Sequence, residues 1–197
     1  MGYLKGLQEY LEENYRHSIF DTAFQSGEWW EFHLFPHRVI SAKIDENQIY
    51  DLVLNGEGFG KDPIPKTDVK LLYPAKQAEK TRLLLKTDQK VKNLKLEPII
   101  PPKNRHHIKN KSLFPLMKSR EVLFFTLLEG EKIKGILGGF TRYDITLHLK
   151  GGIPVHLLRH AVYDLRDKKG RCFLKSFQES RKDWEKSDIF VSSGQNN

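Results

Sequence analysis

Two short basic motifs in the second half of the chain carry the side chains best suited to binding chemistry. Arg142-Tyr143 and Arg159-His160 each place a cation beside a flat ring. An aromatic ring stacks on any nucleobase, which contributes about 1–3 kcal/mol per base. Arginine adds a phosphate contact or a second stacking plane, and neutral histidine can hydrogen-bond a base edge. The motifs therefore predict a nucleic-acid contact, with structural aromatic residues and solvated basic residues as the alternative.

The elements that must position these motifs are strands. In the stretch from 123 to 165, apolar residues alternate at Ile145, Leu147 and Leu149, the period of a half-buried strand. Glycines punctuate the stretch at Gly130 and at two glycine pairs further on, where strands turn or bend. The pattern predicts a small, strongly bent all-β barrel with both motifs at strand ends.

The same pattern occurs earlier in the chain. An offset of 93 residues aligns residues 26–72 with the second half at eleven identities, against roughly three expected from average residue usage. Tyr50 matches Tyr143, whereas Lys66-Thr67 replaces Arg159-His160 and Ile49 replaces Arg142. The repeat predicts two copies of one β module. The second copy is then the stronger site, and Tyr50 and Lys66 are secondary candidates.

Further elements are predicted beside the two copies. Residues 3–17 have the apolar spacing of an amphipathic helix, and a short helix is predicted after Lys175. Arg82–Lys86 resembles Arg171–Lys175, which predicts an extra strand at the end of each copy. The chain is therefore divided into four segments: a first module with an N-terminal helix (1–87), a basic proline-containing linker (88–112), a second module (113–190) and a tail (191–197).

Charge is concentrated in one part of the chain. The formal net charge is +8, and the stretch from Lys76 to Lys111 holds eleven Lys or Arg against three Asp or Glu, so the remainder is balanced. A local basic strip indicates contact with a polyanion. Lys103 and Arg105 are secondary candidates for that contact, and His106-His107 is interpreted as an anion contact. A solvated tether is the alternative interpretation.

Several classes of protein are not indicated. The single Cys172 permits no intrachain disulfide, which fits a reducing compartment. No apolar run approaches the roughly 20 residues of a membrane span, and the N-terminus lacks the apolar core of a signal peptide, so a cytoplasmic protein is expected. Neither a phosphate loop, a nucleophile elbow nor zinc-ligand spacing is present. We expect a non-catalytic protein without a metal or cofactor.

One part of the second copy resembles a known family. The segment from about 113 to 165 resembles Hfq and, more distantly, the Sm-like proteins. Its most specific feature is the tetrapeptide Arg159-His160-Ala161-Val162, at the family's distance from an aromatic turn, here Phe140–Tyr143. Leu128–Gly130 resembles the turn after the family's first strand, and Lys132 and Gly135 match its second strand. The resemblance covers roughly 50 residues.

The resemblance implies a fold, a partner and an assembly. The fold is mainly β: two tandem Sm-like (SH3-type) barrels, each with a bent five-stranded sheet. The partner is single-stranded, U-rich RNA, bound by Tyr143, Arg142, Arg159 and His160, and the implied role is post-transcriptional regulation. The assembly is a homo-oligomer in which three chains form a pseudo-hexameric ring.

Some features depart from the family, and they leave other functions open. Pro115 is expected to disrupt the family's N-terminal helix in the second copy. The family's second RNA-binding face lacks its aromatic residue here, although Lys132 and Lys134 make that face basic. A protein-interaction scaffold that keeps the barrel without binding RNA is the second hypothesis. A nuclease or other hydrolase is the third.

Overall fold

A computed structural model describes residues 2–56 and 62–193, so residues 194–197 of the predicted tail lie outside it. The described chain is mainly β. In chain order its strands and helices are β1 (Tyr3–Leu4), α1 (Leu7–Asn14), α2 (Ile19–Ser26), β2 (Trp30–Leu34), β3 (Arg38–Asn47), β4 (Asp51–Asn55), β5 (Ile64–Pro65), β6 (Val69–Pro74), α3 (Ala78–Leu84), β7 (Lys86–Thr87), α4 (Gln89–Lys92), α5 (Asn110–Ser119), β8 (Val122–Leu127), β9 (Glu131–Phe140), β10 (Asp144–His148), β11 (Pro154–Leu158), β12 (Val162–Asp167), α6 (Lys175–Arg181) and β13 (Phe190–Val191).

Eleven of these strands form one sheet. Its order is β12-β8-β9-β10-β11-β6-β2-β3-β4-β5, and β7 pairs with β9 outside this path. The predicted mainly-β class is confirmed, but the described residues do not form two closed barrels. The reason is the antiparallel pairing of β11 with β6, where His156 lies opposite Leu72 and Leu157 opposite Leu71. This contact joins the two five-stranded sets edge to edge.

The sequence repeat is also visible in the strands. The bounds of β3, β4 and β6 lie 93 residues before those of β9, β10 and β12. The same offset relates the 3₁₀ turns Lys66–Asp68 and Arg159–Ala161, each of which leads into the last strand of its set. The offset that aligns the two sequences therefore aligns their strands as well.

Each set of strands has its own hydrophobic cluster. In the first set, β3 buries alternate residues, Ile40, Ala42 and Ile44, against α2 and β2, as period-2 patterning requires. The second cluster contains residues of β8 to β12 but also Leu71 and Tyr73 of β6. Strand β6 therefore contributes to both clusters, and the two repeats share a core.

The N-terminal helix is shorter than the predicted 3–17. Helix α1 spans Leu7–Asn14, and its Leu7, Tyr10 and Leu11 pack against the cluster of the second repeat. Helix α2 follows; Ser18 caps its start by accepting a hydrogen bond from the Phe20 amide. It is α2 that occupies the position before the first strand of its repeat.

Helix α5 precedes the second repeat, and the expectation that Pro115 disrupts it is wrong. Proline removes one backbone hydrogen bond inside a helix, a destabilising change. Here Leu113, Phe114 and Leu116 on both sides of Pro115 are buried in the core. Burial of these side chains outweighs the lost bond, because tertiary packing supplies most helical stability. The helix ends at Arg120, whose φ of 52° is left-handed, as is that of Gly27 after α2.

The linker and the C-terminal segment are folded onto the repeats. The extra strand predicted at Arg82–Lys86 is wrong for most of its length, because Ala78–Leu84 forms α3 and only Lys86 belongs to a strand, β7. Linker residue Ile108 makes a strand-like bridge to Leu174 just before α6. The short C-terminal helix is confirmed as α6, and β13 pairs with β1. None of the described helices is long and apolar enough to cross a membrane.

Two buried ionic networks lie beside the junction of the repeats. The Lys70 ammonium of β6 contacts the carboxylates of Glu129 and Glu131 from the second repeat, and the Lys70 side chain is 1% exposed. Glu31 on β2 is also buried, and Tyr73, Arg82 and His33 surround it. Burial opposes ionisation of Glu31, but hydrogen bonds from His33, Arg82 and Tyr73 prevail and lower its pKa to about 2. The carboxylate is therefore held as an ion at neutral pH.

Candidate functional site

The turn between β9 and β10 holds the first predicted motif, Arg142-Tyr143. The Thr141 hydroxyl accepts hydrogen bonds from the amides of Tyr143 and Asp144, both at 3.1 Å, and donates to the Asp144 carboxylate at 2.8 Å. The turn is thus fixed without the Tyr143 side chain, which is 50% exposed. The Arg142 guanidinium lies 5.6 Å from the centre of the Tyr143 ring. One ring face is covered by a cation, and the ring remains accessible to a ligand.

Asp144 connects this turn to the first repeat. Its carboxylate accepts a hydrogen bond from the Ile19 amide at the start of α2, at 3.2 Å. Burial raises the pKa of the Asp144 carboxyl, although the hydrogen bonds from Thr141 and Ile19 oppose that rise. In addition, the Arg142 amide donates to the Tyr15 carbonyl at 3.1 Å. The turn is therefore supported by the segment between α1 and α2.

The second motif lies directly beside the first. The Arg159 amide donates to the Tyr143 carbonyl at 2.9 Å, which brings the 3₁₀ turn against the β9–β10 turn. The Arg159 guanidinium donates to the Asn110 side chain at 2.9 Å and lies 5.5 Å from the centre of the Phe140 ring. Its Nε is buried without a hydrogen-bond partner. Burial lowers the pKa of this guanidinium, against the opposing charges of Tyr15, Asp144 and Tyr10.

His160 faces the first repeat. Its Nε2 lies 2.9 Å from the Val69 carbonyl, and because a carbonyl can only accept, this nitrogen carries the hydrogen. Burial and the nearby Arg105 cation lower the pKa of His160 to about 4, so its ring is neutral at neutral pH. The base contact that the resemblance implies is thus replaced, at Nε2, by a hydrogen bond across the junction of the repeats.

All four predicted residues line one pocket. The pocket has a volume of about 420 Å³, and the linker closes one side of it. The other lining residues are Tyr15, Pro102, Arg105, His106, His107 and Ile108. The lining contains three arginines and three histidines, and none of the described residues that line it is acidic. This composition suits an anionic ligand.

The linker side chains of the pocket are held in place. Arg105 donates to the carbonyls of Ile99 and Ile100, both at 2.9 Å, and burial lowers the pKa of its guanidinium. His106 Nδ1 lies 2.8 Å from the Tyr163 carbonyl, and the two rings are 5.2 Å apart. The linker is therefore a folded wall of the pocket. The solvated tether, the alternative interpretation of this segment, does not describe these residues.

A second, smaller pocket adjoins the first. It has a volume of about 340 Å³ and shares Arg105, His106 and His107 with the first pocket. Its other lining residues are Lys103, Leu174, Lys175, Ser176 and Glu179. Of the predicted secondary residues, Lys103 therefore lines the second pocket, and Arg105 lines both pockets.

The other secondary candidates lie elsewhere. Lys66 donates to the Gln48 carbonyl and lies 5.6 Å from the centre of the Phe20 ring, and burial lowers its pKa against the charges of Asp21 and Asp51. Ile49 and Tyr50 are 82% and 78% exposed at the equivalent turn of the first repeat. None of these three residues lines the 420 Å³ pocket.

The predicted second face is also separate from the pocket. Lys132 and Lys134 lie two residues apart on β9, which places them on one face of that strand. Lys132 Nζ is 3.8 Å from the Asp88 carboxylate, and Lys134 lies 5.8 Å from the centre of the Phe124 ring. Neither lines the 420 Å³ pocket.

Sequence reasoning missed Tyr15 and the role of the linker as a wall. The signal available for the linker was the adjacency of Arg105, His106 and His107 in the most basic stretch. Nothing in the sequence near Tyr15 indicated a site. Among residues 2–56 and 62–193, no group of three or more His, Cys, Asp or Glu side chains could hold a metal ion.

The comparisons with known proteins add no family. No protein-family model matches the sequence, and a search of curated proteins finds no match either.

Proposed function

We propose that this protein binds single-stranded RNA in the 420 Å³ pocket of the second repeat, without catalysis. One observation carries the proposal. The half-exposed Tyr143 ring opens onto a pocket whose lining holds three arginines and three histidines and no acidic residue. Single-stranded nucleic acids are bound by an aromatic platform for the base and cations for the phosphate.

The roles within the pocket follow from the contacts. Tyr143 stacks on a base, while Arg142 covers the other face of its ring. Arg105, whose Nε and Nη2 donate to two carbonyls, and Arg142 contact phosphate. Arg159 and His160 act mainly as supports, because each is partly buried and hydrogen-bonded to another residue of the chain. The preference for uridine rests on the resemblance to Hfq alone.

A fluorescence titration with short labelled oligomers tests the proposal. We expect the protein to bind a U-rich oligomer more tightly than an A-rich oligomer of equal length, with affinity that falls as salt rises. Arg142→Ala should weaken binding, and Ile49→Ala, at the equivalent position of the first repeat, should not. Failure to bind either oligomer at low salt would refute the proposal.

One observation favours the scaffold as a second candidate. Ile49 and Tyr50 form an apolar pair that is almost fully exposed at the first-repeat turn. Exposed apolar side chains side by side are typical of protein contacts when they belong to a larger patch. If the protein binds oligomers, and Tyr143→Ala abolishes this binding while Tyr50→Ala keeps it, the result favours RNA binding over the scaffold.

The resemblance also predicts a ring of three chains. Inside one chain, β11 of the second repeat pairs with β6 of the first. A ring would need the same contact between chains, made by the end strands β5 and β12.

A further inference from the structure

The contact between the repeats shows which backbone groups an edge strand must offer. The Arg159 amide donates to the carbonyl of Tyr143, the residue just before β10, so Leu157, two residues earlier, also directs its backbone groups toward β10. The backbone amides and carbonyls of residues 156 and 158 then point in the opposite direction, toward β6. His156 lies opposite Leu72 there. The donors of β11 at this junction are therefore the amides of His156 and Leu158.

At β5, the equivalent strand of the first repeat, those two donors are missing. The Lys66 amide donates to the Tyr50 carbonyl, so Ile64 faces β4 and residues 63 and 65 face the open edge. Both are prolines, at the positions that correspond to His156 and Leu158. Proline has no amide hydrogen, and prolines on an edge strand hinder pairing with another strand. The β5 edge thus lacks the groups that the internal contact uses.

At β12, the other end of the sheet, the edge groups are already occupied. Leu165 is the equivalent of Leu72, and its carbonyl accepts a hydrogen bond from the Phe173 amide at 3.0 Å. The Asp167 amide donates to the Arg171 carbonyl at 3.2 Å, and Arg166 lies opposite Cys172. The edge of β12 is therefore occupied by residues 171–173, which we call the C-terminal cap, in the same way that β11 occupies the edge of β6.

The C-terminal cap is held by a fixed turn at its start and by the burial of two of its side chains. The Asp167 carboxylate accepts hydrogen bonds from the amides of Lys169 and Arg171, at 2.8 and 2.9 Å, which fixes the turn that reverses the chain. Cys172 and Phe173 are both 3% exposed, so removal of the cap would expose core side chains. A second chain could reach the edge of β12 only by displacing these residues.

We propose that the chain ends its own sheet at both edges, by prolines at β5 and by the C-terminal cap at β12, and that it is a monomer. The pairing of β11 with β6 is then an internal contact that does not recur between molecules. The sheet formed by the two repeats then ends within one chain, and the chain is not a segment of the predicted ring. If the proposed function holds, each molecule also offers a single pocket to RNA.

Two measurements on the full chain without RNA test this proposal, independently of any ligand. Sedimentation equilibrium through the micromolar range should give the mass of one chain, and a mass of three chains would overturn the proposal. Amide hydrogen exchange should show slow exchange at Phe173 and Asp167, whose amides form the bonds of the cap. Exchange at the rate of an unstructured chain at both positions would overturn the role of the cap.

A pair of variants tests the prolines. Pro63→Ala with Pro65→Ala restores two edge donors, and we expect a concentration-dependent rise toward at least twice the mass of one chain. Pro98→Ala with Pro101→Ala removes two prolines outside the sheet and should leave the mass unchanged. A variant of Pro63 and Pro65 that stays monomeric through the same range would show that the prolines do not block this edge.

Discussion

Replacement of Tyr143 by alanine is the most direct perturbation of the proposed RNA site. The ring is half exposed at the pocket, and the Arg142 guanidinium already lies over it at 5.6 Å. One face is therefore left for a base. Stacking contributes about 1–3 kcal/mol per base. With a single face free we expect a loss in the lower half of that range, about 1.4 kcal/mol, which raises Kd roughly tenfold.

The fold should tolerate this change. The turn is held by the Thr141 hydroxyl and by backbone hydrogen bonds, and the Tyr143 carbonyl that accepts from Arg159 is kept in alanine. The free energy of unfolding should therefore stay within about 0.5 kcal/mol of the wild type, as for most surface substitutions. Urea denaturation of the variant checks this before its binding is measured.

The repeat supplies a matched control. Tyr50 is the same residue type at the same turn of the first repeat, and it is more exposed than Tyr143. Fluorescence anisotropy with a labelled U-rich oligomer should give an unchanged Kd for Tyr50→Ala. Equal losses in both variants would refute the assignment of the site to the second repeat, and an unchanged Kd for Tyr143→Ala would refute the stacking role.

Three further predictions concern acid, charge and salt. His156 and His160 have pKa values lowered to about 4, chiefly by burial, whereas unfolded histidine has a pKa of about 6.5. The unfolded state therefore binds more protons between these pH values. The free energy of unfolding should fall as pH drops from about 6.5 to 4, by up to about 3 kcal/mol per histidine. Urea unfolding at several pH values measures this, and His160→Gln should reduce the slope of the free energy of unfolding against pH. Lys70→Met leaves the buried Glu129 and the partly buried Glu131 without their cation and should lower the free energy of unfolding by about 3–5 kcal/mol. A decrease of less than about 1 kcal/mol in chemical denaturation would contradict the network. Arg105→Ala should reduce the slope of log Kd against log salt by about 0.7, the value for one phosphate contact on a single strand. Lys43→Ala is the control, because Lys43 is an exposed cation on β3 that lines neither pocket.

The sequence predicted the strands well, because their signal is local. Period-2 alternation indicated the strand that the structure has as β10, and the 93-residue offset relates β3, β4 and β6 to β9, β10 and β12. The prediction of two separate barrels failed because the pairing of β11 with β6 is a tertiary contact between residues far apart in the chain. Neither strand's own pattern specifies which neighbour it meets.

The helices show where local preference is overridden. The strand-like run Leu83–Leu85 lies at the end of α3, with Leu83 and Leu84 inside that helix. Pro115 lies inside α5 because the side chains beside it are buried. The four primary site residues line one pocket, and their role in RNA binding stays a prediction. The linker wall could not be predicted, since its position depends on carbonyl contacts such as that of His106 with Tyr163.

The contacts of the N-terminus also bear on how the protein folds as it is synthesised. Helix α1 precedes its partners in the chain: the Tyr10 hydroxyl bonds to the backbone of Phe140, and Tyr3 of β1 pairs with Val191. Both partners leave the ribosome later than α1. The apolar side of α1 therefore has no partner until the second repeat has been synthesised, whereas the strands of the first repeat can form earlier. The contacts of α1 and β1 cannot form before residues 140 and 191 have been synthesised.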